Sequence, residues 1–156
     1  MPQGGANGML ITQGGRFSGW GLYLREGKPV FTMNLLGVEH VKWEAPAALP
    51  PGRHTVVFDW QMDSKGPPVA RGGNGALSVD GVQMAQRALP RTLPFTWAWD
   101  ETLDVGLDTG TPVDDRDYQV PFEFTGKLGR VTVDLGESSV TPEAMREFQE
   151  KAAKRD

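Results

Sequence analysis

The residues best suited to chemistry are the acidic side chains of segment 100–117. Seven carboxylates lie within these eighteen residues, among glycines and prolines that indicate a loop. Calcium takes roughly six to eight oxygen ligands, so the loop could hold this ion with help from carbonyls and water. The spacing is not that of an EF-hand, and the same side chains could instead cap backbone amides. Calcium is the only cofactor suggested, and its candidate ligands are Asp104, Asp108, Asp114, Asp115 and Asp117.

The chain offers few residues for nucleophilic or histidine-based catalysis. There is no cysteine, and the two histidines are His40 and His54. Neither has a second histidine two or four positions away, the spacing usual in metal sites. No G-x-S-x-G, P-loop or glycine-rich dinucleotide motif followed by a helix occurs. We therefore expect structural or surface roles for both histidines.

A glycosidase would require two carboxylates about 5–10 Å apart. The nearest pair is Asp59 and Asp63, which share a strand face only if the strand stays regular to residue 63. Glu123 stands alone among aromatic residues. A two-carboxylate glycosidase is therefore a poorly supported alternative, which requires two of these acids to converge in a cleft.

Five tryptophans raise the alternative of carbohydrate binding, because exposed indole rings stack on sugar faces. Three of them lie in rows with other apolar side chains, which predicts core positions: Trp60, Trp97 and Trp99. Trp20 and Trp43, flanked by glycines or by charged residues, are the better surface candidates. With Arg16 they form the candidate ligand-binding set.

Composition and charge exclude several classes of partner. Glycine and proline make up 32 of 156 residues and the net charge is −4, with no long basic run to follow a nucleic-acid backbone. No apolar run approaches the roughly 20 residues needed to span a bilayer, and the polar N-terminus lacks a signal peptide. We expect no nucleic-acid or membrane partner and a soluble, unexported chain. The glycine-rich start could also be a cut edge of a longer protein, periplasmic if the parent is exported.

Most of the sequence alternates apolar and polar residues, as half-buried strands do. Residues 55–62 place Val56, Phe58 and Trp60 on one face. Short turn sequences separate these alternating runs. Two of them are residues 25–28 and the dipeptide Asp80-Gly81, which is typical of tight hairpins. About ten strands are predicted: 8–14, 18–24, 29–36, 38–44, 53–62, 75–79, 82–88, 94–100, 119–125 and 127–135.

These elements predict one domain and a short tail. No helical period occurs before residue 140, so parallel βαβ units are excluded and an all-β antiparallel sandwich remains over residues 1–136. Residues 137–156 form the tail, where Thr141-Pro142-Glu143 predicts a helix start with a hydroxyl N-cap and proline in the first turn. We expect this helix to run to about Lys154.

The order of several motifs resembles the C-terminal β-sandwich region of bacterial arylsulfatases. The most specific stretches are QGGRF at 13–17 and DVGLDTGTPV at 104–113. Together the matching stretches span about residues 8–136, and they are 8–20, 22–30, 103–113, 121–127 and 131–135. The resemblance implies a concanavalin-like or jelly-roll sandwich.

The sulfatase nucleophile has no counterpart here. Sulfatases of that family use a formylglycine made from Cys or Ser in a C/S-x-P-x-R motif, and this chain has no cysteine and no serine in such a motif. The resemblance therefore implies a non-catalytic accessory or interaction domain. Its expected partner is a sulfatase-type catalytic domain or a second copy of itself. The alternative is a carbohydrate-binding sandwich, assisted by calcium.

Overall fold

The computed structural model describes residues 1–93, 101–136 and 140–153. The predicted strand 94–100, with Trp97 and Trp99, lies outside the described residues. Within them the chain forms two antiparallel sheets and one helix, which confirms the all-β sandwich with eight strands instead of ten. The elements are β1 (Gly8–Gly15), β2 (Ser18–Arg25), β3 (Lys28–Leu35), β4 (Glu39–Glu44), β5 (Val56–Met62), β6 (Gly73–Val79), β7 (Val82–Leu89), β8 (Leu103–Val105) and α1 (Pro142–Ala153).

The larger sheet has five strands in the order β4-β3-β2-β1-β8, and the smaller has three in the order β5-β6-β7. Tight turns join most neighbours. Glu26 and Asp80 adopt a φ of 51° and each precedes a glycine of positive φ, the conformation that two-residue hairpin turns require. The two hairpins predicted at these positions are confirmed by the pairing of Arg25 with Lys28 and of Val79 with Val82.

Aromatic side chains fill the space between the sheets. Phe31 of β3 stacks on Phe58 of β5 with ring centroids 3.5 Å apart, and Trp43 of β4 meets Phe58 edge-on at 5.1 Å. Gly75 of β6 leaves the room they need, because a Cβ at that position would lie 2.8 Å from both rings. The small sheet thus covers one face of the large sheet.

The other face of the large sheet is covered by a loop. Residues 106–124, hereafter the strap, cross it and bring Tyr118 and Phe122 against Tyr23 of β2. The two ends of the strap are joined by backbone hydrogen bonds, from Phe122 N to Asp108 O at 2.9 Å and from Phe124 N to Gly106 O at 2.9 Å. The large sheet is therefore buried on both faces.

The predicted strands 119–125 and 127–135 are wrong. The first keeps its alternation of half-buried and exposed side chains, but it bonds to the start of the strap and to Met9 without forming a regular ladder. Pro121 contributes to this because it has no N–H to donate. Residues 127–135 form neither strand nor helix. Conversely, the short strand β8 lies inside the segment expected to be a loop.

The C-terminal helix begins as predicted. Thr141 Oγ1 accepts a hydrogen bond from Ala144 N at 3.2 Å, which confirms the N-cap. Exposed ion pairs follow along its surface, including Lys151 with Glu147 at 2.7 Å. Among the described residues, no helix combines the length and apolar character needed to cross a bilayer.

Candidate functional site

The buried side chain of Asn34 joins two turns and the strap at one end of the large sheet. The two hydrogens of its amide nitrogen are shared among three carbonyls, those of Gly15 and Arg16 at 2.9 Å and that of Val113 at 3.1 Å. Its oxygen accepts from Gly37 N at 2.7 Å. Because Asn34 is 1% exposed, these bonds form away from water and hold the β1–β2 turn, the β3–β4 turn and the strap in fixed relative positions.

A small depression opens where these three segments meet. Its volume is about 80 Å³, and it is lined by Arg16, Gly37, His40, Pro112, Val113 and Asp115. Arg16 Nε lies 3.8 Å from Asp115 Oδ2, and both side chains are about half exposed. A second depression of about 160 Å³ lies beside Asp104. Both are well below the roughly 300 Å³ at which pockets for small organic ligands begin.

The same end of the sheet carries three exposed apolar side chains, hereafter the turn surface. Phe17 is 68% exposed in the β1–β2 turn, while Leu36 and Val38 are 46% and 89% exposed in the β3–β4 turn. Leu36 has a φ of 59°, a conformation that costs a non-glycine residue about 1 kcal/mol. Strained residues that persist on a surface are a feature of binding sites, so this turn is the leading candidate for one.

Beneath the strap, buried acids are neutralised by basic side chains of the sheet and of the strap itself. Lys42 Nζ lies 2.8 Å from Asp114 Oδ2 and 2.6 Å from Asp117 Oδ1. Arg25 also pairs with Asp117 at 2.8 Å, and Arg116 donates two hydrogen bonds of 2.8 Å to Asp114. Burial opposes ionisation of Asp114, but the hydrogen bonds from Arg116 and Lys42 outweigh it and hold its pKa well below the usual range.

A second buried acid, Asp108, is bound by a phenol. Tyr118 donates to Asp108 Oδ2 at 2.6 Å and accepts a hydrogen bond from Val113 N at 2.9 Å. Desolvation raises the pKa of Asp108, and the Tyr118 hydrogen bond offsets this only in part. Burial and the bond to Asp108 likewise raise the pKa of Tyr118 above its ordinary value. These hydrogen bonds join residues within the strap and fix its conformation.

The five predicted calcium ligands are not gathered into a ligand set. Asp114 and Asp117 face cations, Asp108 faces Tyr118, Asp115 lies near Arg16, and Asp104 accepts a hydrogen bond from Thr102 on the edge strand β8. Across the described ranges, no group of three or more His, Asp or Glu side chains is arranged to hold a metal ion. The charges of Asp114 and Asp117 attach the strap to the sheet.

The predicted ligand-binding residues separate into two kinds of environment. Trp43, expected at the surface, is 1% exposed in the aromatic core, and that prediction is wrong because β4 turns its indole toward the small sheet. Trp20 is half-buried and stacks on Phe31 at 5.9 Å. Arg16 alone of the three borders the depression. A carbohydrate-binding platform built on Trp20 and Trp43 therefore lacks the exposed ring of Trp43.

The carboxylates considered for glycoside hydrolysis lie on opposite sides of the molecule. Asp59 points away from the core on β5 of the small sheet, and Asp63 is exposed just beyond that strand. Glu123 is exposed on the strap, beyond the far face of the large sheet. Both sheets therefore separate Glu123 from Asp59 and Asp63.

His54 has a structural partner, as expected. Its Nδ1 lies 2.7 Å from Asp80 Oδ2, in the hairpin turn between β6 and β7. The hydrogen bond to Asp80, with a second to the Pro50 carbonyl, raises the pKa of His54. A backbone hydrogen bond from Thr55, together with His54, lowers the pKa of Asp80.

These shifts predict a pH-dependent contribution to stability. A raised His54 pKa means that its contribution is complete below the ordinary value near 6.5 and is lost as pH rises through the folded-state pKa. The lowered Asp80 pKa has the opposite sign, so that contribution is lost in acid. We expect the melting temperature of His54→Gln to fall below wild type at pH 5.5 and to approach it at pH 9. Asp80→Asn also removes the carboxylate that accepts a hydrogen bond from Thr55 N, so its gap should narrow at pH 9 without closing. A constant gap for His54→Gln would contradict this assignment.

Several organising residues were not predicted from the sequence, above all Asn34, Lys42 and Tyr118. The sequence signal for them was the polar pair Thr32 and Asn34 on β3. These residues alternate with apolar ones, a pattern that predicts a solvent-facing side. Both are fully buried because the strap covers that face.

Comparison of the chain with known family models, with curated proteins and with solved structures found no match. The resemblance to arylsulfatases accordingly rests on the sequence motifs.

Proposed function

We propose that this chain is a non-catalytic accessory domain that binds a sulfatase-type catalytic domain through the turn surface. The observation that carries the proposal is the exposure of Phe17, Leu36 and Val38 on two turns that Asn34 holds together. Turns are usually built from small or polar residues, so three apolar side chains at one end are unusual. Apolar side chains exposed on turns that are held together mark interaction sites.

The buried ion pairs and hydrogen bonds of the strap support the same role. The acids of the strap are engaged by Lys42, Arg25, Arg116 and Tyr118, which fixes the loop beside the turn surface. A rigid surface loses little conformational entropy on binding, and this favours affinity. The sulfatase partner follows from the resemblance of residues 8–136 to a region that accompanies such catalytic domains.

The test uses the catalytic domain of a bacterial arylsulfatase from which the C-terminal region has been removed. Binding of the purified chain is measured by isothermal titration calorimetry. We expect the double variant Phe17→Ser/Val38→Ser to bind at least about tenfold more weakly than wild type, because exposed apolar anchors dominate such interfaces.

Val57→Ser is the matched control. Val57 is also exposed, at 47%, but it lies on the outer face of the small sheet. It should bind as wild type does, and urea unfolding should show that all variants are folded. Equal affinity of the double variant and wild type, or no binding by wild type, would overturn the proposed function.

A further inference from the structure

Residues 127–135 carry the pattern of a strand without a partner. Val131, Val133 and Leu135 alternate with Arg130, Thr132 and Asp134, and Val133 and Leu135 are 55% and 90% exposed. The segment makes no backbone hydrogen bond to any residue that the structure describes. Strand-forming sequence with open N–H and C=O groups is a template for pairing with another chain.

This sequence is complementary to itself in the antiparallel direction. When two copies are aligned about Thr132, Arg130 of each lies opposite Asp134 of the other, and Val131 lies opposite Val133. Thr132 then faces its own copy, and Gly129 faces Leu135, so the large side chain meets the smallest one. The polar pairs share one face of the ribbon and the apolar pairs share the other, because side chains alternate along a strand.

Each of these pairings is of a kind that stabilises sheets. Opposite charges, paired threonines and paired β-branched residues directly across two strands are all favourable. An extended chain rises about 3.3 Å per residue, so Arg130 and Asp134 of one copy lie about 13 Å apart and cannot pair with each other. Among the described residues Arg130 has no ion-pair partner, which leaves it available.

We propose that the chain forms a two-fold symmetric dimer in which residues 129–135 of two copies pair as antiparallel strands centred on Thr132. Such an interface is isologous, so each favourable contact away from the symmetry axis occurs twice. A two-stranded ribbon alone is marginal, and here each strand is anchored to its own domain just before Gly129, where Leu128 lies close to Gly106. The inference rests on the proposed role as an interaction domain but uses a different surface from the turn surface.

Charge reversal tests the register. Sedimentation equilibrium of the full chain should show a wild-type dimer in the micromolar range. Arg130→Asp or Asp134→Arg places like charges opposite each other twice, and each should weaken dimerisation about tenfold or more. The double variant Arg130→Asp/Asp134→Arg restores opposite charges and should restore the dimer. Arg146→Asp, a reversal of the same sign on α1, is the control and should leave it intact.

A single cysteine tests the position of the symmetry axis. The chain has no cysteine, so Thr132→Cys can form a disulfide only between copies. Residues directly opposite in an antiparallel pair have Cα atoms about 4.5–5.5 Å apart, within the range of a disulfide. We expect rapid oxidation to a covalent dimer for Thr132→Cys and slow oxidation for Glu123→Cys, an exposed control outside the segment.

The outcomes separate this inference from the proposed function. A monomeric wild type, or single reversals that leave the dimer unchanged, would overturn the strand pairing. Loss of the dimer in Phe17→Ser/Val38→Ser with retention in Arg130→Asp would show that self-association uses the turn surface instead, which also overturns it. Retained binding of Arg130→Asp to the sulfatase catalytic domain would leave the proposed function standing whichever way the dimer experiment falls.

Discussion

Replacing Lys42 with methionine should destabilise the protein by about 3 kcal/mol, the typical cost of removing one partner from a buried ion pair. Methionine retains the length and apolar stem of lysine but leaves Asp114 and Asp117 without the ammonium that lies within 2.8 Å of both. Both carboxylates are almost fully buried, so water replaces the ammonium poorly. Each keeps one guanidinium, that of Arg116 for Asp114 and that of Arg25 for Asp117. Urea unfolding at pH 7 measures the change.

Lys28→Met is the matched control for this substitution. Lys28 lies on the adjacent strand β3 and is 3.8 Å from Glu44, but both side chains are more than a third exposed. Exposed pairs of this kind contribute about 0–1 kcal/mol. Similar losses in the two variants would mean that the strap is not held by its ion pairs.

The effect of Lys42→Met should depend on pH in a defined direction. The depressed pKa of Asp114 gives a contribution that is present above its ordinary pKa of 3.8 and is lost as pH falls. Removing Lys42 raises that pKa toward its ordinary value. The difference in unfolding free energy between wild type and variant should therefore be full at pH 7 and should shrink below about pH 4.

Replacing Tyr118 with phenylalanine should cost about 2–3 kcal/mol, since an unsatisfied buried polar group costs about 1–3 kcal/mol. The ring and its stacking on Phe122 at 4.5 Å are retained. Without the hydroxyl, the carboxylate of Asp108, which is 1% exposed, loses its phenol donor. The amide N–H of Val113 loses its acceptor. We expect the pKa of Asp108 to rise further, which carbon-13 NMR of its carboxyl can follow.

A second variant distinguishes the hydrogen bond from the packing. In Tyr118→Phe/Asp108→Leu the buried carboxylate is removed together with its donor, and such paired apolar replacement is often nearly neutral. The double variant should therefore recover part of the stability lost in Tyr118→Phe. A further loss, of the same size as the first, would show that Asp108 is stabilised by groups other than Tyr118.

The sequence was sufficient wherever the determining interaction is local. The hairpins at Glu26-Gly27 and Asp80-Gly81 follow from the need for positive φ in a tight turn, and the start of α1 follows from the hydroxyl of Thr141. The period-2 alternation predicted strands β1 to β7 and the all-β class, because side-chain direction alternates along any strand. Charge and composition restrict the classes of partner, but they do not indicate which face of a sheet another segment covers.

Prediction failed where the deciding contact is distant along the chain. Alternation reveals that Val120 and Phe122 point inward, but the same pattern arises whether the backbone joins a ladder or crosses a sheet as a strap. Trp43 stands between charged neighbours, yet its indole is buried because β5 and β6 pack over it.

The acidic loop shows the same limit in its chemistry. Carboxylates in a glycine-rich segment suit calcium as well as they suit lysine and arginine, and the choice depends on which side chains the fold brings opposite them. Lys42 is more than seventy residues away from Asp114 and Asp117 in the sequence, and their pairing follows from the strap lying on β4. Composition and local pattern therefore determined strands, turns and class, whereas the role of each charged side chain was set by long-range packing, which places cations against these acids.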